Sequence, residues 1–386
     1  MMLSRLRKWL MAGAAVCWVW LGAAPAGACN VPVFRYALER WEPHIYEVLV
    51  LHKEELSADD SKTLDWLTKQ AADREVPCNI DVRAVNIDAN TDKYAEAVWK
   101  MQDGNALPRL VVCYPRRFGP PRAAWAGPLT LDAAKAIVDS PVRRKVADAI
   151  TKGETSVWIL LESGNKAKDD AAAKLLKDQF AELVKLLELP PQPPPYPGEQ
   201  DDDSSGTLPL KIAFSLVRLS RKTEAEKPFV RMLLNTEDDL AGEYASEPMA
   251  FAVFGQGRAM WALVGKGICE DNIIDVCAFL VGRCSCQVKD MNPGIDLLFK
   301  ADWYAGLEGR EPATAVLPDV IAPAGATTAP GAAPAAAVRV NIDGLAARDI
   351  DAGGGTLLRS ILIAFGCVVL AAAALVVWVS RRPARG

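Results

Sequence analysis

Residues 248–280 read PMAFAVFGQGRAMWALVGKGICEDNIIDVCAFL, and this stretch decides how the rest of the chain is parsed. Pro248 precedes an apolar run, Met249 to Phe254, of the length of a buried strand. Gly255-Gln256-Gly257 supplies turn residues that accept positive φ, and Arg258 to Val264 forms a second apolar run. Gly265-Lys266-Gly267 ends that run. Asp271 or Asn272 then caps a helix whose apolar residues Ile273, Ile274, Cys277 and Leu280 recur at helical spacing.

The same order occurs upstream. Pro108 is followed by a strand Arg109–Tyr114, a turn through Gly119-Pro120-Pro121, a strand Ala123–Ala126, Gly127 and a helix Leu131–Ile137. One supersecondary unit found twice points to a duplicated architecture. The segments before each copy match as well. Strand Tyr46–Leu51, a helix capped by Ser57, strand Ile80–Ile87 and helix Tyr94–Met101 lead into Pro108. Strand Ser156–Leu161, helix Asp169–Leu187, strand Leu210–Leu219 and helix Lys227–Leu233 lead into Pro248. Each half is therefore read as βαβαββα. Proline, strand, glycine turn, strand, glycine and helix resemble the closing half of a thioredoxin fold. The fold class expected is α/β, with two tandem thioredoxin-like domains and one C-terminal transmembrane helix.

The ends of the chain set its compartment. Arg5, Arg7 and Lys8, the apolar run Trp9–Leu21 and Ala26-Gly27-Ala28 form the layout of a secretory signal over residues 1–28. Cys29 would begin the mature chain, where a lipid can be attached, although Ala26 stands where such signals carry leucine. Residues 357–380 contain an uncharged stretch, Ile361–Val379, long enough to span a bilayer, followed by Arg381, Arg382 and Arg385. The tail, 381–386, is then cytoplasmic and the rest extracytoplasmic. Between the ends we expect one domain over 29–152 and another over 153–305. Pro- and Asp-rich residues 190–207 read as an exposed insertion or an interdomain linker. An Ala/Pro/Gly-rich stalk covers 306–356. The net charge of −4 and the lack of a basic stripe argue against a nucleic-acid partner.

The thioredoxin resemblance implies a reactive Cys-X-X-Cys after the first strand of each unit. Here those positions hold His52-Lys53-Glu54-Glu55-Leu56 and Glu162-Ser163-Gly164-Asn165-Lys166, without cysteine. Dithiol exchange needs an attacking and a resolving thiol, so redox activity at that position is not expected. The resemblance also places Pro108 and Pro248 at the cis-proline that lines the family's substrate groove. The main chain of Leu107 and Glu247 would then accept an extended peptide, or each proline merely sets a loop. The reading is a non-enzymatic, membrane-anchored binding or scaffolding protein that needs no cofactor, with other envelope proteins as partners.

Seven cysteines, 29, 78, 113, 269, 277, 284 and 286, lie outside the two end segments. In an oxidising compartment an odd number leaves one thiol free, lipidated or joined to another chain. Cys284-Ser285-Cys286 is a C-x-C pair suited to soft-metal or thiol chemistry, which defines the alternative function. Its other reading is two structural disulfides tying the last helix to residues 287–302. Cys29 is also a partner for Cys78, and Cys113, among Val111, Val112 and Tyr114, reads as core. His52 beside Glu54 and Glu55 offers a general base or a solvated surface group. Phosphate-binding loops, dinucleotide fingerprints and hydrolase motifs are absent from the sequence.

Overall fold

The computed structural model describes residues 31–89, 92–102, 106–116, 119–191, 208, 210–284, 288–305 and 307. The expected signal, most of the 190–207 insertion, the stalk apart from Leu307, the membrane span and the tail lie outside them. Among the described residues no helix is long and apolar enough to cross a membrane.

The chain enters through helix α1 (Val33–Arg40) and passes into a four-stranded sheet of β1 (Tyr46–His52), β2 (Ile80–Asn86), β3 (Arg109–Cys113) and β4 (Ala123–Pro128). The spatial order is β2-β1-β3-β4, with β1 and β2 parallel and the other pairs antiparallel. Helices α2 (Ala58–Ala72), α3 (Lys93–Lys100) and α4 (Leu131–Val138) make the connections or follow the last strand. Each starts where a side-chain oxygen takes a first-turn N–H: Ser57 from Asp60, Asp92 from Tyr94, Thr130 from Ala133. Strand β1 is buried on both faces. Val48 and Val50 join one core with Leu110 and Ile137, while Leu49 and Leu51 join another with Val98 and Val111.

Helix α5 (Pro141–Thr151) leads to the second sheet: β5 (Ser156–Leu161), β6 (Phe214–Leu219), β7 (Met249–Phe254), β8 (Arg258–Ala259), β9 (Leu263–Val264) and β10 (Ile295–Asp296). The order is β10-β8-β7-β5-β6, with β9 also on β7; β5 and β6 are parallel, and β7 is antiparallel to β5. Helices α6 (Lys166–Leu186), α7 (Lys227–Leu234) and α8 (Glu270–Val281) complete this half. Helices α1 and α5, which the sequence puts with residues 29–152, pack on the second sheet: Phe34 and Trp41 lie against Trp158, and Val146 and Ile150 against Ile159.

Three local expectations shift. The single strand Arg258–Val264 is two pieces, because its register against β7 slips by one residue between Ala259 and Leu263. This bulge turns Trp261 out to solvent, and Ala262 N–H donates to the Glu237 carboxylate at 3.0 Å instead of to a strand. Strand β6 begins at Phe214 rather than Leu210, since the Thr155 hydroxyl takes the Ala213 N–H at 2.9 Å and donates to Lys211 O at 3.1 Å. The last helix starts at Glu270 behind Cys269. Asp271 and Asn272 sit in its first turn, and the Asn272 amide donates to Gly267 O at 2.8 Å.

One feature seats the chain's entry helix on the second half, and a second joins the halves. At the turn after β7, Gly255 and Gly257 have φ of 56° and 83°. A Cβ on Gly255 would stand 2.6 Å from Cβ of Ala37, and one on Gly257 2.6 Å from Phe299. Gln256 between them is buried and donates to Leu38 O at 2.8 Å and toward the Tyr304 hydroxyl at 3.0 Å.

The second feature is segment 295–303. Leu297, Phe299, Ala301 and Trp303 enter the core of the second half, and Leu298 enters that of the first. Asn79 receives and returns the strand-like bonds: its amide donates to Leu297 O at 3.1 Å, its N–H to Phe299 O at 3.3 Å, and its side-chain oxygen accepts from Phe299 N at 2.9 Å. Lys300 reaches Gln70 and Asp73 on and just beyond α2. The buried Arg143 guanidinium donates to Ile137 O at 2.6 Å and to Leu298 O at 3.2 Å; burial pushes its pKa down to about 10.

At the head of this strap the Asp296 carboxylate accepts from His44 N–H at 2.8 Å, Lys289 at 2.6 Å and Arg258 at 3.0 Å, with the His44 ring against it. Burial alone would raise its pKa, but His44, Lys289 and Arg258 hold it well below the usual carboxylate range. Its contribution to stability is therefore complete above the ordinary carboxylate pKa of about 4 and is lost as pH falls toward the lower folded value.

Asp296→Asn is expected to cost about 3–5 kcal/mol, since it leaves buried cations without their counter-charge, and to flatten the acid limb of the melting-temperature profile. Gly255→Ala is expected to lower Tm through the Ala37 clash. Thermal melts of both variants between pH 3 and pH 7 check these outcomes.

Candidate functional site

The expected proline positions lead to two unlike places. In the second half, Glu247 and Pro248 line a groove of about 590 Å³. One wall is a single face of α6, Lys168, Ala171, Ala172 and Leu175, spaced one and two turns apart. The other is formed by Val264, the turn Gly265–Gly267 and Ile268, with Tyr244 near the proline. The sequence explains this geometry. Asn165 caps α6 by accepting from Ala167 and Lys168 N–H, and Gly265, at φ 53°, folds the chain back over Glu247.

The lips carry charge and the floor is apolar. Lys168 pairs with Glu247 at 2.5 Å. Lys266 is exposed, with no carboxylate at salt-bridge distance among the described residues. The negative charge of Glu243 beside the Tyr244 hydroxyl raises the Tyr244 pKa.

The main chain at this proline is not open. Glu247 N–H donates to Tyr244 O at 2.9 Å, and Glu247 O accepts from Arg221 at 2.9 Å. Pro248 O accepts from Gly265 N–H at 2.9 Å. The Glu247 peptide groups are thus engaged inside the molecule, the carbonyl by Arg221, which reaches across from just past the end of β6. Leu107–Pro108 is the only cis peptide among the described residues. Leu107 is half-buried against the Leu49 and Val111 core, and no hydrogen bond engages its main chain among the described residues.

In the loops after the first strand of each half, polar side chains hold the main chain. The His52 ring is hydrogen-bonded to the main-chain oxygen of Glu54 at 2.8 Å rather than to a carboxylate, and Glu54 and Glu55 face solvent. In the second half, buried Asp169 accepts from Ser163 N–H and Ser163 Oγ at 2.8 Å and from Gly164 N–H at 3.0 Å, which staples residues 162–165 to the first turn of α6. Glu162 and Asp170 share Arg218.

Cys284 is buried at the end of α8, where its N–H donates to Val31 O at 3.0 Å; Cys286 and Cys29 lie outside the described residues. Cys78, Cys113, Cys269 and Cys277 are free thiols. Burial pushes Cys78 and Cys113 up to about 12 and raises Cys277, while Cys269 is half-exposed at the head of α8. No group of three or more metal-binding side chains occurs among the described residues.

Lys168, Leu175, Arg221, Tyr244 and Lys266 were not singled out from sequence. The spacing of 168, 171, 172 and 175 is visible there, but nothing in it says which face of α6 borders a turn some ninety residues on. Compared with known proteins, the chain matches no family model and no curated protein.

With the protein reduced and folded, a thiol reagent such as DTNB is expected to modify Cys269 quickly. Cys78, Cys113 and Cys277 should react only after unfolding. Mass mapping of the labelled residues at pH 8 reads the outcome.

Proposed function

We propose that this chain is a non-enzymatic binding or scaffolding protein held at a membrane by residues 357–380, its two sheets being thioredoxin-like domains without the reactive cysteines. The strand order β2-β1-β3-β4, its counterpart β6-β5-β7, and the helices between them support that assignment. The observation that carries the function is the groove between α6 and the Gly265 turn. It is a concave apolar surface with a few charged groups at its rim, the usual form of a recognition site.

The chemistry at the two equivalent loops favours binding over turnover. Asp169 uses its carboxylate to hold the 162–165 loop, and His52 uses its ring to hold Glu54 O. These groups are engaged in structure. The partners that fit the proposed location are other envelope or membrane proteins.

A photo-crosslinking residue placed at Leu175 in the full chain, in native membranes, is expected to give discrete adducts with another protein. The same probe on the outer face of α6, at Lys177, is expected to give none. Equal patterns from both positions would remove the groove as a binding site.

A further inference from the structure

The groove's lips say how a partner is read. A strand-adding ligand needs unpaired main-chain donors or acceptors along an edge. Here the candidates at the proline are all occupied: Glu247 N–H by Tyr244 O, Glu247 O by Arg221, and Pro248 O by Gly265 N–H. At the proline itself, what is left to contact is side-chain surface. That surface runs along the axis of α6, from Lys168 to Leu175, a rise of about 10 Å or two turns. It is apolar along Ala171, Ala172, Leu175, Val264 and Ile268.

We propose that the groove takes an amphipathic helix of a protein partner, laid along α6 with two or three apolar side chains inward and a carboxylate facing Lys266. This rests on the binding reading above and adds the partner's form. A helix satisfies its own peptide groups, so it asks nothing of the spent main chain at Glu247 and Pro248. Its residues at i, i+3 and i+4 match a groove two turns long. Charge decides the polar side. Lys168 already has Glu247, whereas Lys266 is exposed without a carboxylate partner among the described residues. A carboxylate beside the apolar face therefore gains by pointing at Lys266, with the modest, salt-sensitive effect of a rim pair.

The test uses the full chain in detergent and two fluorescent twelve-residue probes of equal composition. One is lactam-bridged, with leucines at helical spacing and glutamates flanking them. The other alternates leucine with polar residues and is unbridged. The bridged peptide is expected to bind saturably in anisotropy titrations. Leu175→Glu should weaken it at least tenfold, Lys266→Glu several-fold with a reduced salt dependence, and Lys177→Glu, on the outer face of α6, not at all. Preference for the alternating peptide, or a gain on Arg221→Ala that frees Glu247 O, would overturn the helical mode. Absence of saturable binding by the bridged peptide would also overturn it. Because the Leu175 crosslink reads occupancy whatever the ligand's shape, it separates failure of the helical mode from failure of the binding reading.

Discussion

The structure depends on a buried carboxylate at the start of a short strap. Asp296 is taken out of water, which alone would be strongly unfavourable, and is balanced by Lys289, Arg258 and the His44 N–H and ring. His44 sits on the link between α1 and β1, so a single anion fixes where the first sheet begins relative to the second. From there the strap runs between the halves with its side chains divided, Leu298 to one core and Leu297, Phe299 and Trp303 to the other. Burying a side chain of this size is worth about 1.5–3 kcal/mol, so the strap ties the two cores by packing as well as by charge.

That arrangement also bears on function. The strap packs on one face of the second sheet and α1 and α6 on the other, and among the described residues a groove opens along α6. The groove there is built from elements on different parts of the chain, each locally fixed: Asn165 and Asp169 at the head of α6, Arg221 at the end of β6, Gly265 after β9. A binding surface held this way is already organised before the partner arrives, which lowers the ordering cost of association.

Much of the fold could be read from the sequence because its elements are punctuated. Pro108 and Pro248, the Gly255 and Gly257 turn, and the caps Ser57, Asp92 and Thr130 are local signals, and the structure places strands and helices beside them. Long-range effects were not legible. The bulge at Met260–Ala262 follows from the Glu237 carboxylate, over twenty residues away, taking a strand N–H. Nothing in Ile295–Trp303 announces that alternate side chains enter different cores, and the sequence offers only disulfides as a tie for this segment. At the groove, nothing local to Glu247 and Pro248 in the sequence announces the Arg221 guanidinium that takes the Glu247 carbonyl, a contact set by tertiary distance alone.

The most direct measurement of the central claim is equilibrium urea unfolding of the full chain in detergent, followed by hydrogen exchange at β1 and at β5 together. If the strap joins the halves into one cooperative unit, both strands lose protection in one transition, and Leu298→Ala splits it or lowers its midpoint for both. Two separate transitions in the unaltered chain, with Leu298→Ala affecting only β1, would contradict it.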